Sequence, residues 1–351
     1  MTVLENLNAS LHQIMKTDER VVIIGEDLLD PYGGAFKVTQ GLSSAYPERV
    51  WSSPISEAGI VGLAAGMALR GLRPIVEIMF GDFLTLAADQ LVNHIAKFRW
   101  MYNDLVRVPL VIRTPMGGRR GYGPTHSQTL EKHFLGVPGL KVVAPCTLQV
   151  TNDQGSTGQS MFDPGQLLST AVADDDPVLF IENKLLYLCK LQTVETLPDF
   201  KIRIQDVTDH SAVDYPTFLL RIKGAPPARL TLVAYGHMAE LALEAALDLA
   251  FKYEIFTDLV IPTLLTPYQP AMTAILASAI QTRCLLVVEE GTLSLGWGAE
   301  ILARTTEALG DQLNSARRVA ARDVPIPAAQ VLEKAVLPNL TGIITTAQKM
   351  V

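Results

Sequence analysis

Two hydrophobic patterns alternate along this chain. Continuous apolar runs rich in branched side chains occupy residues 21–24, 74–80, 108–113, 140–144 and 177–182. Between some of them lie stretches with helical spacing, notably 57–69 and 84–101. A strand covered on both faces reads as an unbroken apolar run. The pattern therefore predicts a parallel sheet with helices on each side. A helix is also predicted at the start, where Thr2 and Glu5 have the spacing of a capping box and Leu4, Leu7, Leu11 and Ile14 form one stripe. A second alternation begins at Leu230, with strands at 230–234, 257–261 and 284–289 and helices at 238–253, 270–281 and 297–309. That is a second, smaller α/β unit.

Two stretches break the alternation. Residues 151–165 read Thr-Asn-Asp-Gln-Gly-Ser-Thr-Gly-Gln-Ser-Met-Phe-Asp-Pro-Gly, rich in turn formers and nearly free of apolar anchors. A mobile surface excursion is expected there. Residues 191–228 lack a clear period and contain Pro198, Pro216, Pro226 and Pro227. They are expected to connect a first domain, residues 1–190, to a second, residues 229–351, with one or two short elements.

Bulk properties narrow the function. A length of 351 residues suits two domains, and a chain 48% hydrophobic can bury a core in each. The net charge of −7 gives no electrostatic footprint for nucleic acid or an anionic membrane. No apolar run approaches the roughly 20 residues that a membrane helix needs. Cys146, Cys189 and Cys284 are odd in number and far apart. With an N-terminus that does not read as a secretory leader, reduced thiols in a cytoplasmic protein are expected.

In open α/β sheets ligands collect beyond the carboxyl ends of the strands. The loops Gly25-Glu26-Asp27, Gly81-Asp82-Phe83 and 115–123 all follow predicted strands, so they are expected to share one rim. Glu57 opens a helix rich in small residues, where Gly59, Gly62, Ala65 and Gly66 allow close approach of a backbone or a flat ligand. An acid there also simply complements the helix dipole. His126 ends a loop with four glycines, and imidazole is well matched to proton transfer near neutral pH, although such a histidine equally satisfies loop carbonyls. Phe83 at the rim serves either packing or stacking on a planar ring. Glu77, inside an apolar strand, needs a buried partner. Asp174-Asp175-Asp176 reads as a solvated turn or a weak cation cluster. No G-x-G-x-x-G follows the first strand, no Walker loop is present, and no G-D-G followed by asparagine occurs.

Several segments, taken in order, resemble the beta subunit of the thiamine diphosphate-dependent 2-oxoacid dehydrogenases. They are Ile24-Gly25-Glu26-Asp27, Tyr32-Gly33-Gly34-Ala35-Phe36-Lys37-Val38-Thr39, Pro54-Ile55-Ser56-Glu57-Ala58-Gly59, Gly71-Leu72-Arg73-Pro74-Ile75-Val76-Glu77, Asp89-Gln90, His126-Ser127-Gln128 and Val137-Pro138-Gly139-Leu140-Lys141-Val142-Val143. Gly296-Trp297-Gly298-Ala299-Glu300-Ile301 and Asp323-Val324-Pro325-Ile326-Pro327 follow in the second domain. The resemblance covers almost the whole chain and implies a transketolase-like pyrimidine-binding domain followed by a transketolase C-terminal domain.

It implies thiamine diphosphate shared with an alpha subunit in an α2β2 assembly. The alpha subunit would carry the diphosphate and magnesium site, which fits the missing G-D-G signature. Glu57 resembles the glutamate that hydrogen-bonds the aminopyrimidine and favours its imino tautomer. Phe83 and Met79 resemble the wall beside that ring, and Glu26 a member of the acidic network near the cofactor. His126 resembles the histidine that assists acyl transfer to a lipoyl-bearing acyltransferase component. Leu110, Ala171, Val172, Asp174 and Asp176 align with a potassium-binding loop found in some members, held largely through backbone carbonyls. The implied reaction is decarboxylation of a 2-oxoacid, pyruvate or branched-chain, followed by reductive acylation of a lipoyl domain. The chain departs from the family at residues 151–165, at Gln269 in place of a more usual Asp, and at Arg119 and Arg120, either of which could touch a substrate carboxylate or a partner. Half of a split transketolase-type enzyme and a non-catalytic subunit of the same fold are the alternatives.

Overall fold

The computed structural model describes residues 1–152, 160–205 and 215–351. The first sheet has seven strands in the order Leu264–Thr266, Lys141–Val143, Val178–Asn183, Val111–Met116, Arg73–Glu77, Val21–Gly25 and Val50–Ser52. The six strands from the first half of the chain run parallel. The seventh, Leu264–Thr266, comes from the second half and pairs antiparallel with Lys141–Val143. The second sheet has six strands in the order Ser315–Ala321, Cys284–Thr292, Leu230–Ala234, Thr257–Pro262, Thr217–Ile222 and Phe200–Ile204. Its first four are parallel, and Thr217–Ile222 pairs antiparallel with both Thr257–Pro262 and Phe200–Ile204.

Local signals placed several elements at their observed bounds, including the helices Glu57–Leu69, Met238–Tyr253 and Trp297–Leu309. The opening helix, Val3–Thr17, carries the expected capping box, with Glu5 N–H donating to Thr2 Oγ1 and Thr2 N–H donating to Glu5. Leu7, Leu11 and Ile14 of its predicted stripe are buried, joined by Val3 and Met15.

One expectation needs correction. The stretch 84–101 is not one helix: it is a 3-10 segment Gly81–Ala87, a π-helical segment Gln90–Ile95 and an α-helix Ala96–Met101. The stretch 191–228 carries two short elements, as expected, and these strands, Phe200–Ile204 and Thr217–Ile222, extend the second sheet. Residues 153–159 of the expected excursion lie outside the described residues. Its flanks pair antiparallel at Val150–Asn152 and Ser160–Phe162. Asp163 then caps the helix Pro164–Ala173, which docks on the first helix. There Gly165 N–H donates to Asn6 Oδ1 at 2.6 Å and Ser10 Oγ donates to the Gly165 carbonyl at 2.6 Å.

One hydrophobic cluster runs through both domains, from Ile24, Val61 and Leu110 in the first to Val233, Val287, Trp297 and Ile301 in the second. Trp297 is fully buried and donates its indole N–H to the Leu265 carbonyl at 3.1 Å, on the strand that crosses into the first sheet. The two domains therefore share a core. Among the described residues, no helix is long and apolar enough to cross a membrane.

Candidate active site

Parallel register brings the three predicted loops to one rim. Gly25 pairs with Glu77 and Glu77 with Arg113, so the loops after residues 25, 77 and 116 leave the sheet side by side. Beneath the rim lies a buried charge cluster. The Arg113 guanidinium donates to Glu77 at 2.7 Å and, through two nitrogens, to both Glu182 oxygens at 2.8 Å. Tyr187 donates its hydroxyl to the same Glu182 at 2.6 Å. Arg113 is thus the buried partner that Glu77 required. Burial raises the Glu77 carboxyl above its usual range, and the attraction of Arg113 opposes that rise.

Above this floor sits a pair of carboxylates. Glu57 is the first residue of its helix, and its side chain is buried rather than set out in solvent, where an acid serving only the dipole would stand. Glu26, just past the end of the first strand, is also buried and has Oε1 without a hydrogen-bond partner. Burial raises the Glu26 carboxyl, and repulsion from Glu57 raises it further. A carboxyl raised by burial and by a neighbouring like charge holds its proton more readily than an exposed one, which marks Glu26 as a candidate for proton exchange at this rim.

The imidazole of His126 lies in an aromatic enclosure on a loop that follows the strand Val111–Met116. Its ring lies 4.8 Å from Phe80 and 5.2 Å from Phe83, edge to face in both cases. Phe80 also meets Phe36, Phe83 and Tyr122 at 5.6, 5.8 and 6.0 Å. Thr125 Oγ1 lies 2.9 Å from His126 Nδ1, which leaves Nε2 as the imidazole nitrogen not engaged by Thr125. Met79 and Phe83 are partly buried at the same rim. Asp82 is buried with Oδ2 unpartnered, while its Oδ1 accepts the Gln128 amide at 3.0 Å. Among the described residues, no direct hydrogen bond joins the carboxylate pair to the imidazole. The rim therefore offers unpaired carboxylate acceptors, an aromatic wall and an imidazole, a donor set that fits a flat nitrogenous ring such as the aminopyrimidine of thiamine diphosphate.

Sequence reasoning missed three contributors. Lys184, directly after the strand Val178–Asn183, is fully buried and donates its ammonium to the His126 carbonyl. Glu290, from the second sheet, accepts the Gly118 N–H at 2.7 Å and the Asn183 amide at 2.9 Å. Glu333 accepts the Arg119 N–H at 2.6 Å. The glycine loop is therefore clamped by carboxylates of the other domain. Gly117 has φ +95°, and a Cβ there would lie 2.5 Å from the Asn183 amide and 2.9 Å from Glu290. Lys184 was findable, since a charge just past a parallel strand belongs to the rim. Arg119 donates to the Pro338 carbonyl and Arg120 to the Lys184 carbonyl, and the Nε of each has no hydrogen-bond partner among the described residues.

The residues expected at a potassium site come together, and several of them accept hydrogen bonds from protein donors. The Leu110 carbonyl accepts the Val178 N–H at 2.9 Å. Arg73 donates to the Val172 and Asp174 carbonyls at 2.8 and 3.0 Å. Asp174 takes both oxygens to Lys141, at 2.8 and 2.7 Å, and a bond from Tyr215 at 2.9 Å, while Asp176 pairs with Lys141 and Arg99. Ala171 is buried in the helix that leads into this turn. The acidic turn is thus paired with protein cations. Among the described residues, no group of three or more His, Cys, Asp or Glu is placed to hold a metal ion.

The model of the transketolase pyrimidine-binding domain matches residues 1–188 and that of the transketolase C-terminal domain residues 223–343. The pyruvate dehydrogenase E1 component subunit beta-2, mitochondrial, of Oryza sativa subsp. japonica is 36% identical, covering 99% of this chain and 86% of that protein. The E1 component subunit beta of Rickettsia bellii is 34% identical, covering 100% of this chain and 98% of that protein. Among solved structures, a split-gene transketolase in an inactive beta4 tetramer superposes with a TM-score of 0.71 at 18% identity, covering 100% of this chain and 98% of that one. That likeness shows the fold alone. The full-length relatives and the two domain matches place this chain in the family of 2-oxoacid dehydrogenase E1 beta subunits.

Proposed function

We propose that this beta subunit acts with an alpha subunit, in an α2β2 assembly, on pyruvate. Several relatives of about 35% identity are named as pyruvate dehydrogenase subunits, and that is the support for the substrate. The buried Glu57–Glu26 pair at the carboxyl rim is the observation that carries the reading. Thiamine diphosphate, when bound, supplies the electron sink for decarboxylation. Glu57 would accept a hydrogen bond from its aminopyrimidine and set the tautomer, with Glu26 as the neighbouring proton store. Phe83 and Met79 would wall the ring and exclude water. His126 would move a proton at Nε2 during acyl transfer to a lipoyl domain of an acyltransferase component. Magnesium would be held by the alpha subunit, and no step here depends on potassium. A reducing compartment suits the three free cysteines, and the cytoplasm is the proposed location. The rice, Arabidopsis and nematode relatives are named as mitochondrial.

The test is turnover by this chain co-expressed with its alpha subunit, with thiamine diphosphate, magnesium and an artificial electron acceptor, across a panel of 2-oxoacids. The reading predicts decarboxylation with pyruvate preferred. Preference for a branched-chain acid would overturn the substrate. A loaded complex that turns over no acid, or that transfers ketol units between sugar phosphates, would overturn the reaction.

A further inference from the structure

We infer that Lys184 is a positioning residue for His126, fixing the imidazole through the backbone rather than touching substrate. The inference rests on the reading that His126 serves acyl transfer. A buried ammonium is strongly unfavourable unless its protons and charge are met. Lys184 has no exposed surface, so its surroundings must meet that requirement. Its ammonium donates to the His126 carbonyl and lies over the Phe80 ring at 5.2 Å and the Tyr122 ring at 5.5 Å. Burial lowers it to about 8, while the charges of Asp82 and Glu290 act to keep it protonated. Cation–π contacts contribute more in a desolvated site than at a surface.

Two backbone bonds that close the loop around His126 are long. His126 N–H reaches the Gly123 carbonyl at 3.4 Å, and Gly117 N–H reaches the Gln128 carbonyl at 3.4 Å, both at the long limit for a hydrogen bond. The ammonium is therefore the polar tether on the His126 carbonyl itself, added to the carboxylate clamps at Gly118 and Arg119, and it is anchored in turn on the sheet, where Lys184 N–H donates to the Met116 carbonyl at 3.0 Å. Phe80 and Tyr122 join the same assembly from two different loops, and Arg120 closes it by donating to the Lys184 carbonyl at 3.3 Å. With the carbonyl fixed and Nδ1 on Thr125, the direction of Nε2 follows. A displacement of about 1 Å at a reacting group lowers a rate by about a hundredfold.

The experiment uses the alpha–beta complex and measures two rates. One is decarboxylation with an artificial acceptor. The other is reductive acylation of a lipoyl domain. In Lys184→Met, acylation should fall at least about tenfold more than decarboxylation, through kcat rather than the KM for the lipoyl domain. Its pH profile should shift, and Lys184→Arg should restore part of the loss. His126→Ala should show the same selective loss, with no further decrease in the double variant. Wild-type acylation in Lys184→Met, or equal loss of both rates, would overturn the positioning role. If Lys184→Met fails to fold, Lys184→Gln and Lys184→Arg carry the same comparison. Wild-type acylation in His126→Ala would instead overturn the reading of His126.

Discussion

The Glu290 carboxylate of the second sheet accepts the Gly118 N–H of the first domain at 2.7 Å, so the strand Cys284–Thr292 holds the loop that leads to His126. Its other oxygen takes the Asn183 amide at 2.9 Å. The second domain therefore contributes order to a rim built by the first. Glu290→Ala leaves a buried N–H and an amide without acceptors, an effect of about 1–3 kcal/mol for each unsatisfied group. The expected outcome is a lower unfolding midpoint together with faster hydrogen exchange at residues 117–126. Glu290→Gln, which keeps one acceptor oxygen, should lose less. Unchanged exchange in Glu290→Ala would refute the clamp.

Arg113 offers a test of the floor. It lies between Glu77 and Glu182 with 2% of its side chain exposed. Removing one partner of a buried pair is far more harmful than replacing the whole group, because charge is left uncompensated; about 3–5 kcal/mol is typical. Arg113→Met should lower stability in denaturant titration by that order. The combined Arg113→Met, Glu77→Gln and Glu182→Gln variant should recover part of it. A loss no larger in the single variant than in the triple would contradict the account.

A third prediction concerns pH. Glu289 is fully buried, and burial raises its carboxyl to about 7 while the Gly298 N–H on Oε2 at 3.1 Å opposes the rise. A Cβ on Gly296 would stand 2.5 Å from Glu289 Oε2, so the Gly-Trp-Gly start of the helix is what admits the carboxyl. Because the folded state binds this proton more tightly than the unfolded chain, the contribution of Glu289 to stability is highest at low pH. It declines as pH rises from the usual carboxyl range toward about 7, at up to about 1.4 kcal/mol per pH unit. Thermal midpoints across that window should show this decline, set against contributions from other groups. The difference between wild type and Glu289→Gln isolates it: the variant should gain stability relative to wild type as pH rises. An equal pH dependence in both would show that Glu289 does not titrate there.

What the sequence showed and what it hid follows from range. Helices such as Glu57–Leu69 and Trp297–Leu309 carry their own end signals and small-residue or apolar faces, so local reading placed both ends. Glu57, Phe83 and His126 were visible as rim residues because parallel strands send their following loops to one edge. The crossing of Leu264–Thr266 into the first sheet has no local mark, since only the distant Lys141–Val143 decides its pairing. The 3-10 and π segments at Gly81–Ala87 and Gln90–Ile95 were hidden for a similar reason. Their apolar spacing matches an α-helix, while packing against the helix Glu57–Leu69 sets the actual winding. Glu290 extends an apolar strand with a charge, and only the distant Gly118 explains why that charge is tolerated.

The central claim is that Glu57 handles the proton at the cofactor's pyrimidine. The most direct measurement is pyruvate decarboxylation by the alpha–beta complex carrying Glu57→Gln, with thiamine diphosphate binding measured in parallel. The account predicts a complex that still assembles and binds the cofactor but turns over about a hundredfold to ten-thousandfold more slowly, the usual range for losing a general acid–base group. Turnover at the wild-type rate in a fully loaded variant would contradict it.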